Sequence, residues 1–263
     1  MMLYGQPEAP GGVLGAEPLG LHSSSLPLLF ISGINHVTTR GIHSMINTPK
    51  LLEIEIAGRT WVLDRHGDLE ELWDAMDAMD SDEQLPYWVE VWPACMFMAG
   101  WLEEHPAEVA GKRCLDLGCG LGLISLVAAS LGAGVLAMDL EPQALRYALD
   151  NARRNGRGEF WTAVMDWREP AIRPGSLDVI LAADVIYEAR FAAPILDLME
   201  SSLAPGGKAL VADPMRNFLP GFVRQAEERG FTCSLVTETS IPLLLDPSKS
   251  SRAALYEFRP PQS

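Results

Sequence analysis

A glycine-rich turn between an apolar run and a helix-like run constrains this chain more than any other feature. Gly118, Gly120 and Gly122 stand at alternate positions in the segment LDLGCGLG at 115–122. The apolar run at 113–117 predicts a buried strand, and the run at 121–131 predicts a helix. Because glycine lets the backbone turn sharply and lets a ligand approach the main chain, the segment predicts a strand, a turn and a helix around a ligand site.

Asp139 extends this pattern, because it lies 21 residues after Gly118 at the end of a second strand-like run at 134–139. A carboxylate at such a strand end can accept hydrogen bonds from both hydroxyls of a ribose. The alternative is a glycine turn in an α/β sheet that binds nothing. The position of Asp139 favours a nucleoside-containing cofactor.

The spacing of the glycines narrows the choice of cofactor. It is G-x-G-x-G, which differs from the G-x-G-x-x-G of dinucleotide folds, and the chain has no G-x-x-x-x-G-K-[ST] phosphate loop. The carboxylate of Asp116 would repel a pyrophosphate but suits a cofactor that carries an ammonium or sulfonium group. S-adenosylmethionine has both groups and no phosphate.

The segment at 115–122 resembles the first motif of the class I S-adenosylmethionine-dependent methyltransferases. The resemblance implies S-adenosylmethionine as the cofactor and a seven-strand, Rossmann-like sheet. The residues it implies as cofactor contacts in these segments are Asp116, Gly118, Cys119, Gly120, Gly122, Asp139, Leu140 and Ala183.

Length and composition limit the remaining function classes. The 263 residues suffice for one large domain or a domain with an extension. The net charge of −15 argues against a nucleic-acid substrate and is compatible with a basic protein partner, or simply with an acidic surface that aids solubility. No apolar run approaches the ~20 residues of a membrane helix. The four cysteines lack zinc-like spacing, so we predict no metal site and reduced thiols in a cytoplasmic protein.

The N-terminal third divides into two segments. Residues 1–44 are rich in Gly, Pro and Ser, which predicts a disordered tail or a mis-assigned start with Met45 as the first residue; a docking tail is the alternative. Within 45–90, apolar residues alternate at 52–56 before a turn at Gly58 and a second strand-like run at 60–63, which predicts a β-hairpin. A helix is predicted at 68–79.

From residue 91 the chain alternates strands and helices, which predicts a methyltransferase domain over 91–263. Such alternation is typical of an α/β, doubly wound, mainly parallel sheet. In the resembling family the last strand inserts antiparallel, a part that the run at 253–258 can play. The predicted strands are 113–117, 134–139, 160–165, 177–183, 208–212, 232–239 and 253–258, and the predicted helices are 94–104, 121–131, 142–154, 190–203 and 220–229.

The segment PYWVEVWP at 86–93 contains two tryptophans just before a predicted helix. An indole face near a sulfonium adds cation–π attraction of about 1 kcal/mol. The segment resembles the W-x-x-x-W-P entry of the methyltransferase family 16 protein-lysine methyltransferases, most closely the branch that acts on the electron-transfer flavoprotein β-subunit. That resemblance implies that Trp92 lies against the cofactor, whereas Trp88 is predicted to pack in the core.

Asp166 and Trp167 end the third strand-like run. The carboxylate can accept the exocyclic amine of adenine, and the indole can stack on the ring. A surface loop is the alternative interpretation.

The segment DVILAADVIY at 178–187 places Asp184 at the carboxyl end of a predicted central strand, where doubly wound folds bind their ligands. It resembles the D-x-x-[YF] motif of the same lysine methyltransferases, and we assign Asp184 to positioning an acceptor amine and Tyr187 to shaping its channel. The segment DPMR at 213–216 resembles their G-D-P-x-R segment, with Ala212 in place of the glycine; a plain turn carboxylate at Asp213 is the alternative.

These motifs favour a protein-lysine N-methyltransferase. A small-molecule methyltransferase on the same fold is the main alternative, with 45–90 as its lid, because a fold does not determine a substrate. A non-catalytic binding module is disfavoured by the intact motif residues. A nicotinamide-dependent oxidoreductase is disfavoured by the glycine spacing and by Asp116.

Overall fold

The computed structural model describes residues 28–30, 49–67, 86–156, 160–243 and 248–261. The predicted helix at 68–79, the candidate start Met45 and most of the predicted tail at 1–44 lie outside the described residues. The predictions for them stay predictions.

A long sheet forms the centre of the protein. Its strands are β1 (Leu28–Phe30), β4 (Arg113–Leu117), β5 (Gly134–Asp139), β6 (Trp161–Val164), β7 (Leu177–Ala183), β8 (Leu203–Asp213), β9 (Thr232–Pro242) and β10 (Ser250–Arg259); β2 (Pro49–Ile56) and β3 (Arg59–His66) form a separate hairpin. The order in the sheet is β1-β6-β5-β4-β7-β8-β10-β9. The pairings of β10 with β8 and β9 are antiparallel and the other pairings are parallel, so the predicted mainly parallel, Rossmann-like sheet of seven strands is confirmed, with β1 added as an eighth strand at its edge.

Five α-helices cover the two faces of the sheet. They are α1 (Pro93–Glu104), α2 (Leu123–Ser130), α3 (Pro142–Asn155), α4 (Ala192–Ser202) and α5 (Leu219–Glu228). Helices α1 to α3 share one apolar core and α4 and α5 another. Along β7, Val179 and Leu181 face the first core while Ile180 and Ala182 face the second, as the period of two in a strand requires. The central strands are therefore buried on both faces and read as continuous apolar runs.

The predicted β-hairpin is confirmed as β2 and β3, and it is held against α3. Ile54 pairs with Trp61, and both side chains are buried. Asn155 accepts a hydrogen bond from the Val62 amide (2.9 Å) and donates to the Val62 carbonyl (2.8 Å), while Asn151 makes the same pair of bonds with Asp64. Asn151 and Asn155 thus supply hydrogen-bond partners for backbone amides and carbonyls of β3, which would otherwise be unpaired at the edge of the hairpin.

Two local features differ from the sequence-based predictions. The predicted helix at 121–131 begins only at Leu123, because Gly122 has a left-handed φ of 85° that a helix cannot contain. Strand β1 pairs in parallel with β6 and lies within the segment predicted as a tail. Its three residues carry no periodic pattern, so the sequence gives no signal for the pairing. None of the helices among the described residues has the length and apolar character needed to cross a bilayer.

Candidate cofactor and acceptor site

The glycine-rich turn joins β4 to α2, and its shape depends on missing side chains. Gly118, Gly120 and Gly122 have φ values of 70°, 51° and 85°, in the left-handed region that favours glycine. A Cβ atom at Gly122 would lie 2.7 Å from the Cβ of Ala148 in α3, closer than van der Waals contact allows. The third glycine therefore permits α3 to pack against the turn, and this packing fixes where the turn lies.

Asp139, at the end of β5, is bonded directly to this turn. Its carboxylate accepts hydrogen bonds from the amide of Gly120 (2.9 Å) and from the amide of Glu141 (3.0 Å). Burial raises the pKa of this carboxyl, while the two amides oppose the rise. The predicted ribose acceptor thus lies beside the turn, as the 21-residue spacing suggested.

Asp116 lies beneath the turn and is 1% exposed. The hydroxyl of Ser125 donates a hydrogen bond of 2.6 Å to it, and burial raises its pKa to about 7. Neither Asp116 nor Asp139 has a lysine or arginine partner among the described residues. Cys119 in the same turn is buried, and desolvation raises the pKa of its thiol.

Asp184 follows β7 at the same edge of the sheet, in a strained conformation. Its φ is 57°, which is uncommon for a residue with a side chain, and its amide donates to the carbonyl of Ala212 on β8 (2.9 Å). Arg216 donates two hydrogen bonds to its carboxylate, from Nε (2.6 Å) and Nη2 (3.0 Å). Arg216 stands in the DPMR segment that the sequence singles out, but no sequence pattern predicts its ion pair with Asp184.

The Trp92 ring lies against this ion pair, and further rings pack in series beside it, ending with Phe191, whose ring centre is 4.9 Å from that of Tyr187. The guanidinium of Arg216 lies 5.9 Å from the centre of the Trp92 ring. Tyr87 lies 6.1 Å from Trp92 and 6.0 Å from Tyr187, centre to centre, and the Trp92 indole N–H donates to the carbonyl of Tyr87 (3.0 Å). We call Tyr87, Trp92, Tyr187 and Phe191 the aromatic group. Sequence reasoning missed Tyr87 and Phe191, although the tyrosine of the P-Y-W pattern was a usable signal.

Trp167 and Asp166 lie at the end of β6. The Trp167 ring is 3.4 Å from the point where a Gly118 Cβ would stand and packs edge-on against Phe191 at 5.2 Å. It therefore lies at the cofactor turn. Asp166 instead pairs with Arg168, whose side chain lowers the pKa of this carboxyl. Leu140 is 45% exposed at the end of β5, and Ala183 is partly exposed at the end of β7.

Asp213 ends β8 and is fully buried. Its Oδ1 accepts a hydrogen bond from the Arg216 amide (2.7 Å), whereas its Oδ2 is buried without a partner. Burial raises its pKa to about 6. By contrast Trp88, predicted to pack in the core, is buried, and its ring packs at a tilt against Tyr147 with 5.5 Å between the ring centres.

The strand ends thus bring together two neighbouring groups of residues. The glycine turn, Asp116, Asp139 and Trp167 form one group, and Asp184, Arg216 and the aromatic group form the other. Buried carboxylates without a cationic partner, beside an open glycine turn and a tryptophan, fit a cationic nucleoside that has no phosphate. This fold and site define a Rossmann-like methyltransferase domain.

Comparisons with known proteins agree with that class. A family described as a methyltransferase domain matches residues 108–242, which is 135 of the 263 residues, so the chain belongs to this family. S-adenosylmethionine is the cofactor of this domain.

The electron transfer flavoprotein beta subunit lysine methyltransferase of Rattus norvegicus is 28% identical over 190 residues, covering 72% of each chain. A ribosomal protein L11 methyltransferase of Stenotrophomonas maltophilia is 30% identical over 160 residues, covering 59% of this chain and 50% of its own length. The chain thus spans about half the length of the L11 methyltransferases that it matches.

The structure of a T. thermophilus 16S rRNA N2 G1207 methyltransferase has the same fold, with a TM-score of 0.57. It is 16% identical, and the match covers 82% of this chain and 51% of that chain.

Proposed function

We propose that this protein is an S-adenosylmethionine-dependent N-methyltransferase whose acceptor is a lysine side chain of a protein substrate. The observation that carries the proposal is the buried carboxylate of Asp184, which holds a cation among aromatic rings at the edge of the sheet. Strand β7, which ends at Asp184, is the direct neighbour of β4, which ends at the cofactor turn. A cation-binding position therefore adjoins the cofactor position.

Each group of residues has a distinct task in this proposal. The cofactor, when bound, supplies an electrophilic methyl group on a sulfonium. Asp139 accepts the ribose hydroxyls and Trp167 lies against the adenine, whereas Trp92 belongs to the aromatic group beside Arg216. Asp184 orients the acceptor nitrogen, which is the main requirement for an in-line displacement. A free lysine has a pKa near ~10.4; desolvation by the aromatic group lowers this pKa and favours the reactive neutral amine, whereas the carboxylate of Asp184 raises it.

The rat relative supports the lysine acceptor, because its name assigns it a lysine of the electron transfer flavoprotein beta subunit. The L11 methyltransferases are also named for a protein, whereas the ubiquinone biosynthesis O-methyltransferases of Burkholderia orbicola, 32% identical over 118 residues, represent the small-molecule alternative. The net charge of −15 suits a basic partner, and association with such a partner should slow as salt screens the attraction. We propose a cytoplasmic setting on the reduced cysteines alone.

Labelling of a complete cell extract tests the proposal. The extract is incubated with the protein and methyl-labelled S-adenosylmethionine, and mass spectrometry then locates the label. We expect methylated lysines in a small set of proteins, and far less label with the Asp184→Asn variant. Label confined to small molecules would contradict the protein acceptor and favour the small-molecule methyltransferase.

A further inference from the structure

The ion pair between Asp184 and Arg216 is buried on the carboxylate side and partly exposed on the guanidinium side. The carboxylate side chain of Asp184 is 4% exposed, whereas the Arg216 side chain is 36% exposed. Two parallel N–H···O bonds fix the guanidinium on the carboxylate. A carboxylate this buried needs a cation or strong donors, because an unpaired buried charge is costly.

The position of the guanidinium is as informative as its pairing. It lies 5.9 Å from the centre of the Trp92 ring, and the hydrogen bonds to Asp184 raise the pKa of Arg216. An aromatic face and a carboxylate are also the features that bind alkylammonium ions. Arg216 therefore fills the position that the proposed function gives to the acceptor amine.

Arg216 also borders an alternative location. It lines a cavity of about 320 Å³ together with Tyr256, Arg224 and Glu227, and the carboxylate of Glu227 is a partner of opposite charge for a displaced guanidinium. The residue before it, Met215, has a φ of 61° and is 38% exposed, so the segment that carries Arg216 is strained and lies at the surface. A move of the guanidinium into this cavity would leave the carboxylate of Asp184 open to the aromatic group.

We propose that Arg216 is a placeholder cation and a specificity residue: a cationic acceptor amine displaces its guanidinium from Asp184 and takes its place between the carboxylate and the aromatic rings. The proposal rests on the proposed function. Exchange of one cation for another keeps the buried carboxylate paired, whereas a neutral acceptor would leave it unpaired. The site therefore selects acceptors that arrive as ammonium ions and release the proton to water before the nitrogen attacks the methyl group.

The binding of n-butylammonium, which mimics a lysine side chain, tests this exchange without any methyl transfer. The protein is saturated with S-adenosylhomocysteine, and n-butylammonium chloride is titrated while the Nε–H signal of Arg216 is followed by nuclear magnetic resonance. The signal is assigned by its loss in Arg216→Lys. We expect it to shift or broaden in step with amine binding. A signal that stays unchanged when the amine is bound would overturn the displacement.

Variants give a second measurement. Arg216→Met keeps the aliphatic stem but not the charge, and we expect it to bind n-butylammonium at least tenfold more tightly than the natural protein. Arg216→Lys retains a competing cation and should stay within about threefold. Arg113→Ala is the matched control. It removes an arginine that binds the carboxylate of Asp178 with two hydrogen bonds, at the end of β4 away from the site, and the affinity for n-butylammonium should stay unchanged.

The double variant Arg216→Met with Asp184→Asn should lose the gain in affinity. If Arg216→Met is unfolded, Arg216→Gln replaces it, and retained affinity for S-adenosylhomocysteine verifies the fold. A folded variant that binds the amine no more tightly than the natural protein contradicts the proposal. Failure of the proposed function looks different, because it gives normal amine exchange but no methylated lysine in the cell extract.

Discussion

The cofactor side and the acceptor side of the sheet edge are built by different means. On the cofactor side, three glycines shape the turn and backbone amides bind Asp139, so the geometry depends mainly on the main chain. On the acceptor side, a strained Asp184, an arginine from the next loop and rings from two segments meet through side chains. The cofactor position is therefore fixed by the main chain, whereas the proposed acceptor position depends on contacts between charged and aromatic side chains.

The largest expected effect is a loss of stability from a substitution at Gly122, the most closely packed glycine of the turn. Gly122→Ala introduces a left-handed alanine and a contact of 2.7 Å with Ala148. Backbone strain and overpacking together should lower the free energy of unfolding by roughly 2–6 kcal/mol. Urea unfolding measures the loss, and Gly156→Ala, with a φ of 59° but open space around it, gives the strain alone. Equal losses at both positions would show that packing against α3 is unimportant.

A change at Asp184 should affect the acceptor side alone. We expect Asp184→Ala to lower kcat about 100-fold, because the acceptor nitrogen loses its alignment. The Kd for the cofactor should change less than twofold, since Asp184 makes no bond to the glycine turn. Single-turnover kinetics with the identified acceptor, together with calorimetry, separate the two quantities. A loss that appears mainly in cofactor binding would mean that the two sides are not separate.

Asp139 provides the converse test on the cofactor side. Asp139→Ala removes the proposed ribose acceptor and should weaken S-adenosylmethionine binding by ~1.5–3 kcal/mol, the range for hydrogen bonds to a charged group. Calorimetry measures this change, and Asp150→Ala, an exposed carboxylate paired with Arg153, is the control. Unchanged affinity in the folded variant would remove Asp139 from the cofactor site.

The smallest expected effect concerns the pH dependence that Asp213 imposes on stability. Its pKa is raised from the ordinary value near 3.9 to about 6 by burial, so the folded state binds the proton more tightly than the unfolded state. Its contribution to stability is therefore fully present below pH 4 and falls as pH rises through 6. Between pH 5 and pH 7.5 the fall should be roughly 1–1.5 kcal/mol.

Asp213→Asn keeps the acceptor for the Arg216 amide but cannot ionise, so it should gain stability relative to the natural protein as pH rises over that interval. Asp178→Asn is the control, because Arg113 lowers the pKa of Asp178 to about 2 and this carboxyl is ionised in both states throughout. Urea unfolding at both pH values measures the difference. A constant difference for Asp213→Asn would mean that Asp213 is already ionised in the folded protein at pH 5.

The fold class and the glycine turn were predictable from local features of the amino-acid sequence. The strand, the glycine turn and the helix follow one another within about 20 residues, and both the period of the apolar residues and the need for glycine act locally. The carboxylate of Asp139 was predictable for the same reason. Most strand and helix bounds lie within three residues of the predicted ones; the exception is β8, which begins at Leu203, five residues before its predicted start.

The arrangement of side chains around Asp184 depends on contacts between segments that are distant in the sequence. Arg216 meets Asp184, and Tyr87 meets Tyr187, because β7 and β8 are neighbours in the sheet and the entry to α1 folds over their ends. The pairing of β1 with β6 and the burial of Asp213 are equally long-range. The period of the apolar residues predicts which face of an element a side chain lies on, but not which distant segment packs against that face. An ion pair depends on the distance between two such segments and is therefore not predictable from the period.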